Sequence, residues 1–186
     1  MKPKPPTCVL LLCLAVAAAA RAEVTDSADH GFTLRIERRI TASPTETWTR
    51  LVDEVGAWWH PDHTFSGNAG NLSIDARAQG CFCEQLEPEG EGRHLTVVFA
   101  QPGKRLRLTG GLGPLQGYGL AGSLNFELEP DGEGTRLRVI ETGFQDLEGP
   151  EEDRARHAAE NTEGWEFELG QLRDYVAEQV GGTAAS

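Results

Sequence analysis

The sequence predicts an α+β domain in which a curved seven-stranded antiparallel sheet wraps around a long C-terminal helix, with a shorter helix after the first strand. Three observations lead there. Between Asn71 and Phe144, runs of strand-like residues follow one another across turn-sized gaps, and gaps that short join antiparallel neighbours, whereas parallel strands need long crossovers. Beyond Pro150, Ala155, Ala158, Thr162, Trp165, Leu169, Leu172 and Val176 recur every three or four residues, the stripe of one long amphipathic helix. The large apolar surface available to that stripe is the concave face of the sheet.

The elements follow in order. Phe32, Leu34, Ile36, Arg38 and Ile40 alternate with Thr33, Arg35, Glu37 and Arg39, the period of a half-buried first strand. Ser43-Pro44-Thr45-Glu46 reads as a capping box with proline at the first helical position. Trp48, Leu51, Val52, Val55 and Trp59 then keep helical spacing, and Gly56 is expected to end that helix. Six further strands are predicted at Leu72 to Ala78, Cys81 to Leu86, His94 to Ala100, Arg105 to Thr109, Ser123 to Leu128 and Thr135 to Phe144. Turn chemistry separates them at Gly80, Glu87 to Gly92, Pro102-Gly103, Gly110 to Gly122 and Pro130 to Gly134.

Composition narrows the function. The 186 residues carry 17 Lys or Arg against 29 Asp or Glu, a net charge of −12, with no basic cluster, so nucleic acid is not an expected partner. Lys2 and Lys4 precede an apolar run from Thr7 to Ala20 and the small-residue stretch Ala20-Arg21-Ala22. That is a signal-peptide layout, too short in its apolar part for a membrane span. Cleavage after Ala22 and a periplasmic or secreted destination are therefore expected. Loss of Lys2, Lys4 and Arg21 takes the net charge to −15. The domain organisation that follows is a signal peptide at 1–22, a short extension at 23–30, one domain at 31–180 and a flexible tail at 181–186.

The order strand, helix, six strands, long helix resembles the START and polyketide cyclase superfamily, the SRPBCC or helix-grip fold. The nearest likeness within it is the branch related to the C-terminal domain of the activator of the ninety-kilodalton heat-shock chaperone's ATPase. The likeness rests on the Ser43-Pro44-x-x-x-Trp48 helix entry, the Trp58-Trp59 pair, Pro102-Gly103-Lys104-Arg105-Leu106, and Gly134-Thr135-Arg136-Leu137 leading to Glu141-Thr142-Gly143-Phe144. The resemblance implies a cavity between long helix and sheet. Members of that superfamily range from lipid carriers to cyclases, so the fold does not choose a function.

Several residues carry candidate chemistry. Trp58 and Trp59 stand before His60-Pro61-Asp62-His63, which reads either as an aromatic mouth with polar contacts or as core tryptophan followed by surface loop. His60, His63, Cys81 and Cys83 supply the atom types of a zinc site, but Cys-x-Cys on a strand is not a zinc knuckle, and neither metal nor cofactor is expected. On a regular strand the two cysteines stand about 6.5 Å apart at Cα, too far for an easy bridge, so the default is two unpaired thiols, with a bulge at Gly80 as the route to a disulfide. Glu141 shares a face with Leu137 and Val139, which aims its carboxylate inward, where desolvation raises its pKa; the alternative is a carboxylate reaching solvent at the strand end. For Glu84, both faces of its strand fit equally well. Gly117-Tyr118-Gly119-Leu120-Ala121-Gly122 spells a dinucleotide fingerprint, but a strand follows where that motif needs a helix, so a hairpin over the cavity, with Tyr118 as a lid residue, is the better reading.

The expected activity is binding of a small hydrophobic or amphipathic molecule between sheet and helix. The wall is drawn from Trp58, Trp59, Phe99, Val139, Trp165 and Leu169, with Glu141, His63 and Tyr118 as further contacts. No nucleophile with a base beside it is recognisable, which favours binding over catalysis. A cyclase, dehydrase or hydrolase using Glu141 or a histidine is the alternative, and a protein-interaction module the third.

Overall fold

The computed structural model describes residues 23–28, 31–112, 116, 121–143 and 151–183. All seven expected strands are present, and an eighth joins them. The strands are β1 (Glu23–Ala28), β2 (Gly31–Ile40), β3 (Leu72–Ile74), β4 (Cys81–Leu86), β5 (Gly90–Gln101), β6 (Arg105–Gly110), β7 (Gly122–Asp131) and β8 (Gly134–Thr142). They form one antiparallel sheet in the order β1-β2-β8-β7-β6-β5-β4-β3. The helices are α1 (Pro44–Asp53), α2 (Val55–Trp58) and α3 (Glu151–Thr183). The extra strand is the stretch 23–28 that the pattern leaves as an extension; it pairs with β2 from Glu23↔Arg35 to Ala28↔Gly31.

The capping box forms as the sequence spells it. Ser43 Oγ accepts from the Glu46 amide at 3.3 Å, and the Ser43 amide donates to Glu46 Oε2 at 3.1 Å. The helix does not run through to Trp59. It breaks at Glu54 and restarts as α2, with Gly56 inside the second piece. Gly56 answers to packing, because a Cβ there would lie 2.7 Å from the Ala69 carbonyl oxygen.

Other boundaries also differ for local reasons. β3 stops at Ile74, because the chain turns between Asp75 and Gly80, where the Gly80 amide donates to the Arg77 carbonyl. A Cβ at Gly80 would sit 2.0 Å from the Asp75 carbonyl oxygen, so that turn demands glycine. β7 begins at Gly122, which puts a strand after the glycine-rich stretch. Tyr118 and Phe144 lie outside the described residues, as do residues 1–22. The tail expected from Gly181 is still helical as far as Thr183.

The core is the concave face closed by helices. Leu34, Ile36, Val97, Leu106, Leu108, Leu137 and Val139 are buried from the sheet, and Trp165, Leu169, Leu172 and Val176 from α3. The helix lies against β2, α1 and α2. On the outer face, Arg138 bridges Glu37 at 3.1 Å and Glu127 at 3.2 Å, tying β2, β8 and β7 together where water reaches. Leu169 is fully buried at the centre of the helix stripe, so Leu169→Ala is expected to cost about 3 kcal/mol in urea unfolding while leaving the far-ultraviolet spectrum native.

Candidate functional site

Glu141 is the polar centre of the concave face. Strand alternation on β8 places it inward with Leu137 and Val139, and it stands in register between Leu34 of β2 and Leu124 of β7. It is 5% exposed. Asn161 Nδ2 and Trp165 Nε1, one turn apart on α3, each donate to its Oε2 at 2.7 Å. Burial raises the Glu141 pKa above the usual carboxylate range, and the two hydrogen bonds oppose that without cancelling it.

A second carboxylate lies farther along the same helix. Glu168 is almost fully buried, receives the His60 amide at 3.1 Å on Oε2, and meets His63 Nδ1 with Oε1. It therefore holds the 3-10 turn Pro61–His63 against α3. Its pKa is also raised, by burial first, with His63 and the His60 amide pulling the other way. Trp59 Nε1 donates to the His63 carbonyl at 3.1 Å and fixes the other side of the turn.

Between these carboxylates lies an aromatic cluster. The Trp59 ring centroid is 5.3 Å from Trp58, 5.3 Å from Phe82 and 6.0 Å from Trp165, and Trp165 is 5.8 Å from Phe126. Both Trp58 and Trp59 are buried, so neither stands on a surface loop. Trp58 donates Nε1 to the Arg50 carbonyl and braces α1 against α2. Val139 and Leu169 are buried in the same core. A separate cleft of about 570 Å³ opens at the opposite end of the sheet, between the start of α1 and the turns at Pro102 and Pro130, and Glu141 has no part in it.

Two expectations need correction. Phe99 is 42% exposed, because a bulge between Val97 and Phe99 reverses the alternation of β5 and turns both Val98 and Phe99 outward. Cys81 and Cys83 are joined in a disulfide, with Cα atoms 5.4 Å apart. That is closer than a regular strand sets them; the ladder shifts register between Phe82 and Cys83, opposite the extra residue His94 of β5, and not at Gly80. The zinc quartet consequently does not assemble. His60 Nδ1 accepts from the Asp62 amide, His63 is engaged with Glu168, and the group with ligand-like spacing among the described residues is Cys81, Cys83 and Glu91.

The open question about Glu84 is resolved inward. Its side chain is fully buried, with His94 Nε2 at 2.8 Å from Oε2, the Phe65 amide at 3.0 Å from the same oxygen and the Ser66 amide at 2.6 Å from Oε1. Burial pushes its pKa up, but the donors from Ser66, Phe65 and His94 outweigh burial and hold it below the usual range. Asn161, Glu168 and His94 were not singled out by sequence reasoning. The signal for the first two is helical spacing, since Asn161 stands four residues before Trp165 and Glu168 three after it. His94 gives no such signal, because a bulge places it.

Two carboxylates in one core thus have opposite linkage to pH. The folded-state pKa of Glu141 is raised, so its favourable contribution is complete in acid and is lost as pH rises through that value; Glu141→Gln is expected to raise the urea midpoint at pH 7, with the gain vanishing at pH 4. The folded-state pKa of Glu84 is lowered, so its contribution is present at neutral pH and is lost as pH falls through that value; Glu84→Gln is expected to lower the midpoint at pH 7, with a shrinking loss in acid. For the disulfide, iodoacetamide is expected to label Cys81 and Cys83 of the unfolded protein only after a thiol reductant, read by intact mass.

No curated protein matches the chain. Solved structures share its fold. CalU16 from Micromonospora echinospora is 16% identical over 87% of this chain and 88% of that one, with a TM-score of 0.53. A conserved protein of unknown function from Enterococcus faecalis is 20% identical over 84% and 76%, with a TM-score of 0.56. DynU16, a protein in the dynemicin biosynthetic locus, is 18% identical over 78% of this chain and 47% of that one, with a TM-score of 0.53. The family model described as activator of Hsp90 ATPase homolog 1-like protein matches residues 41–177, and the chain belongs to that family within the SRPBCC superfamily.

Proposed function

We propose that this protein binds a small apolar or amphipathic molecule between α3 and the concave face of the sheet, without chemical conversion. The observation that carries the reading is Glu141. A carboxylate buried among Leu34, Leu124 and Val139 is costly to hold unless it has a task, and this one receives two donors on Oε2 from the helix that closes the interior. Aromatic and aliphatic side chains from Trp59, Trp165 and Leu169 supply an apolar wall, and Glu141 supplies one polar contact for the ligand's polar end.

The DynU16 likeness is consistent with handling a small organic molecule, since that protein is encoded in a biosynthetic locus. Export belongs to the same reading. The basic, apolar and small-residue layout of residues 1–22 supports it, and so does a disulfide, which persists in oxidising compartments. No helix among the described residues is long and apolar enough to cross a membrane. A second reading draws on the same residue, because a carboxyl group with a raised pKa suits proton transfer.

Titration with a panel of fatty acids, fatty amines and polycyclic aromatics is expected to quench tryptophan emission saturably for at least one class. Glu141→Gln is expected to weaken the best ligand by about tenfold, the loss of one good polar contact. Unchanged emission across the panel contradicts binding. Turnover of a panel member that Glu141→Gln abolishes moves the assignment to the enzyme reading.

A further inference from the structure

Resting on the ligand-binding reading, we propose that His94 is a second polar subsite of this interior, which takes the hydroxyl group of a phenol-type ligand on Nδ1 while Glu84 positions the ring. Four observations converge on it.

The first is how His94 comes to face inward. β4 and β5 pair Phe82 with Leu95 and Cys83 with Arg93, which leaves His94 as the extra residue of the bulge. Strict alternation allows one of two adjacent residues to be buried; here His94 and Leu95 both are, at 4% and 3% exposure. Bulges commonly re-aim side chains beside functional sites.

The second is the tautomer. Glu84 accepts from two backbone amides and faces Nε2 at 2.8 Å. An ionised carboxylate only accepts, so Nε2 carries the proton, and a neutral imidazole then presents Nδ1 as a bare acceptor turned away from Glu84. The third is that Nδ1 is buried and has no hydrogen-bond partner among the described residues. Buried acceptors of this kind are nearly always paired, so the atom calls for a donor that the described residues do not supply.

The fourth is the surroundings. Phe65 lies flat on the imidazole, centroids 4.8 Å apart and planes 10° from parallel, and is itself 51% exposed, so the ring that covers one face of His94 reaches water. Phe82 is 5.1 Å away on the inner side, and continues through Trp59 to Trp165 and Glu141. A ligand satisfying Nδ1 must bring an O–H donor on a flat apolar group, which is the chemistry of a phenol. Binding is a hydrogen bond from the ligand hydroxyl to Nδ1, with no covalent step.

The test compares 2-naphthol with 2-methoxynaphthalene, which has the same ring but no donor. Calorimetry is expected to show naphthol binding about tenfold more tightly. In ¹⁵N spectra of the histidines, Nδ1 of His94 is expected to move from the bare-acceptor position while Nε2 stays protonated. His94→Phe is expected to bring the affinity ratio close to one with the ether's affinity kept. Glu84→Gln is expected to mix the two imidazole tautomers and reduce the ratio, a readout that a purely structural role would not move. If His94→Phe fails to fold, the wild-type spectra decide alone. Equal binding of the two probes with Nδ1 unmoved overturns the subsite and leaves the ligand-binding reading intact. If neither probe binds, the subsite falls, and retention of a fatty acid or amine then shows whether the broader reading survives.

Discussion

Trp165 reaches from the long helix to the last strand and donates its indole N–H to Glu141 at 2.7 Å, and much of the interior is arranged around that bond. The ring that makes it also meets Trp59 and Phe126, so one side chain joins α3 to the sheet by a polar contact and to the α2 end by an apolar one. A helix held by apolar contacts alone can slide along a greasy face at little cost. A helix held also by a directional bond to a buried carboxylate has a fixed register, and Asn161 one turn earlier fixes it twice. Glu168, one turn later, extends the same logic to the turn at His60 and His63.

Three buried carboxylates therefore share one interior and are satisfied in different ways. Glu84 is surrounded by donors, two of them backbone amides, and stays ionised in the usual sense of a carboxylate that stabilises a loop. Glu141 has two donors on one oxygen within an apolar setting, so burial dominates and the proton is held more tightly. Glu168 lies between the two cases, with a histidine that brings partial compensation. The contrast matters for function, because a carboxylate bound by amides and an imidazole N–H is committed to structure, whereas one that remains costly is available to a ligand.

Much of this was legible in the residues. The inward face of Glu141 follows from Leu137 and Val139, four and two positions earlier, and the helix stripe from Trp165, Leu169, Leu172 and Val176. The capping box at Ser43 could be read letter by letter because its partners are three residues apart. What escaped was set by backbone irregularity. The bulge at His94, opposite Cys83, and the one before Phe99 each shift a strand by one residue, and one residue reverses which face a side chain takes. Phe99 was lost outward and His94 was gained inward for that one reason. Pairings such as His63 with Glu168, separated by 105 positions, depend on how α3 lies over the sheet, which no local pattern records.

Ligand binding requires that the interior between α3 and the sheet accept a guest. Native mass spectrometry of the protein purified without detergent, compared with its denatured mass, addresses that directly. The expected result is a discrete non-covalent mass that is lost on denaturation, or that appears when the bare protein is incubated with an amphipathic ligand and is retained less well by Glu141→Gln. A bare mass under both conditions, with the fold intact, would contradict it.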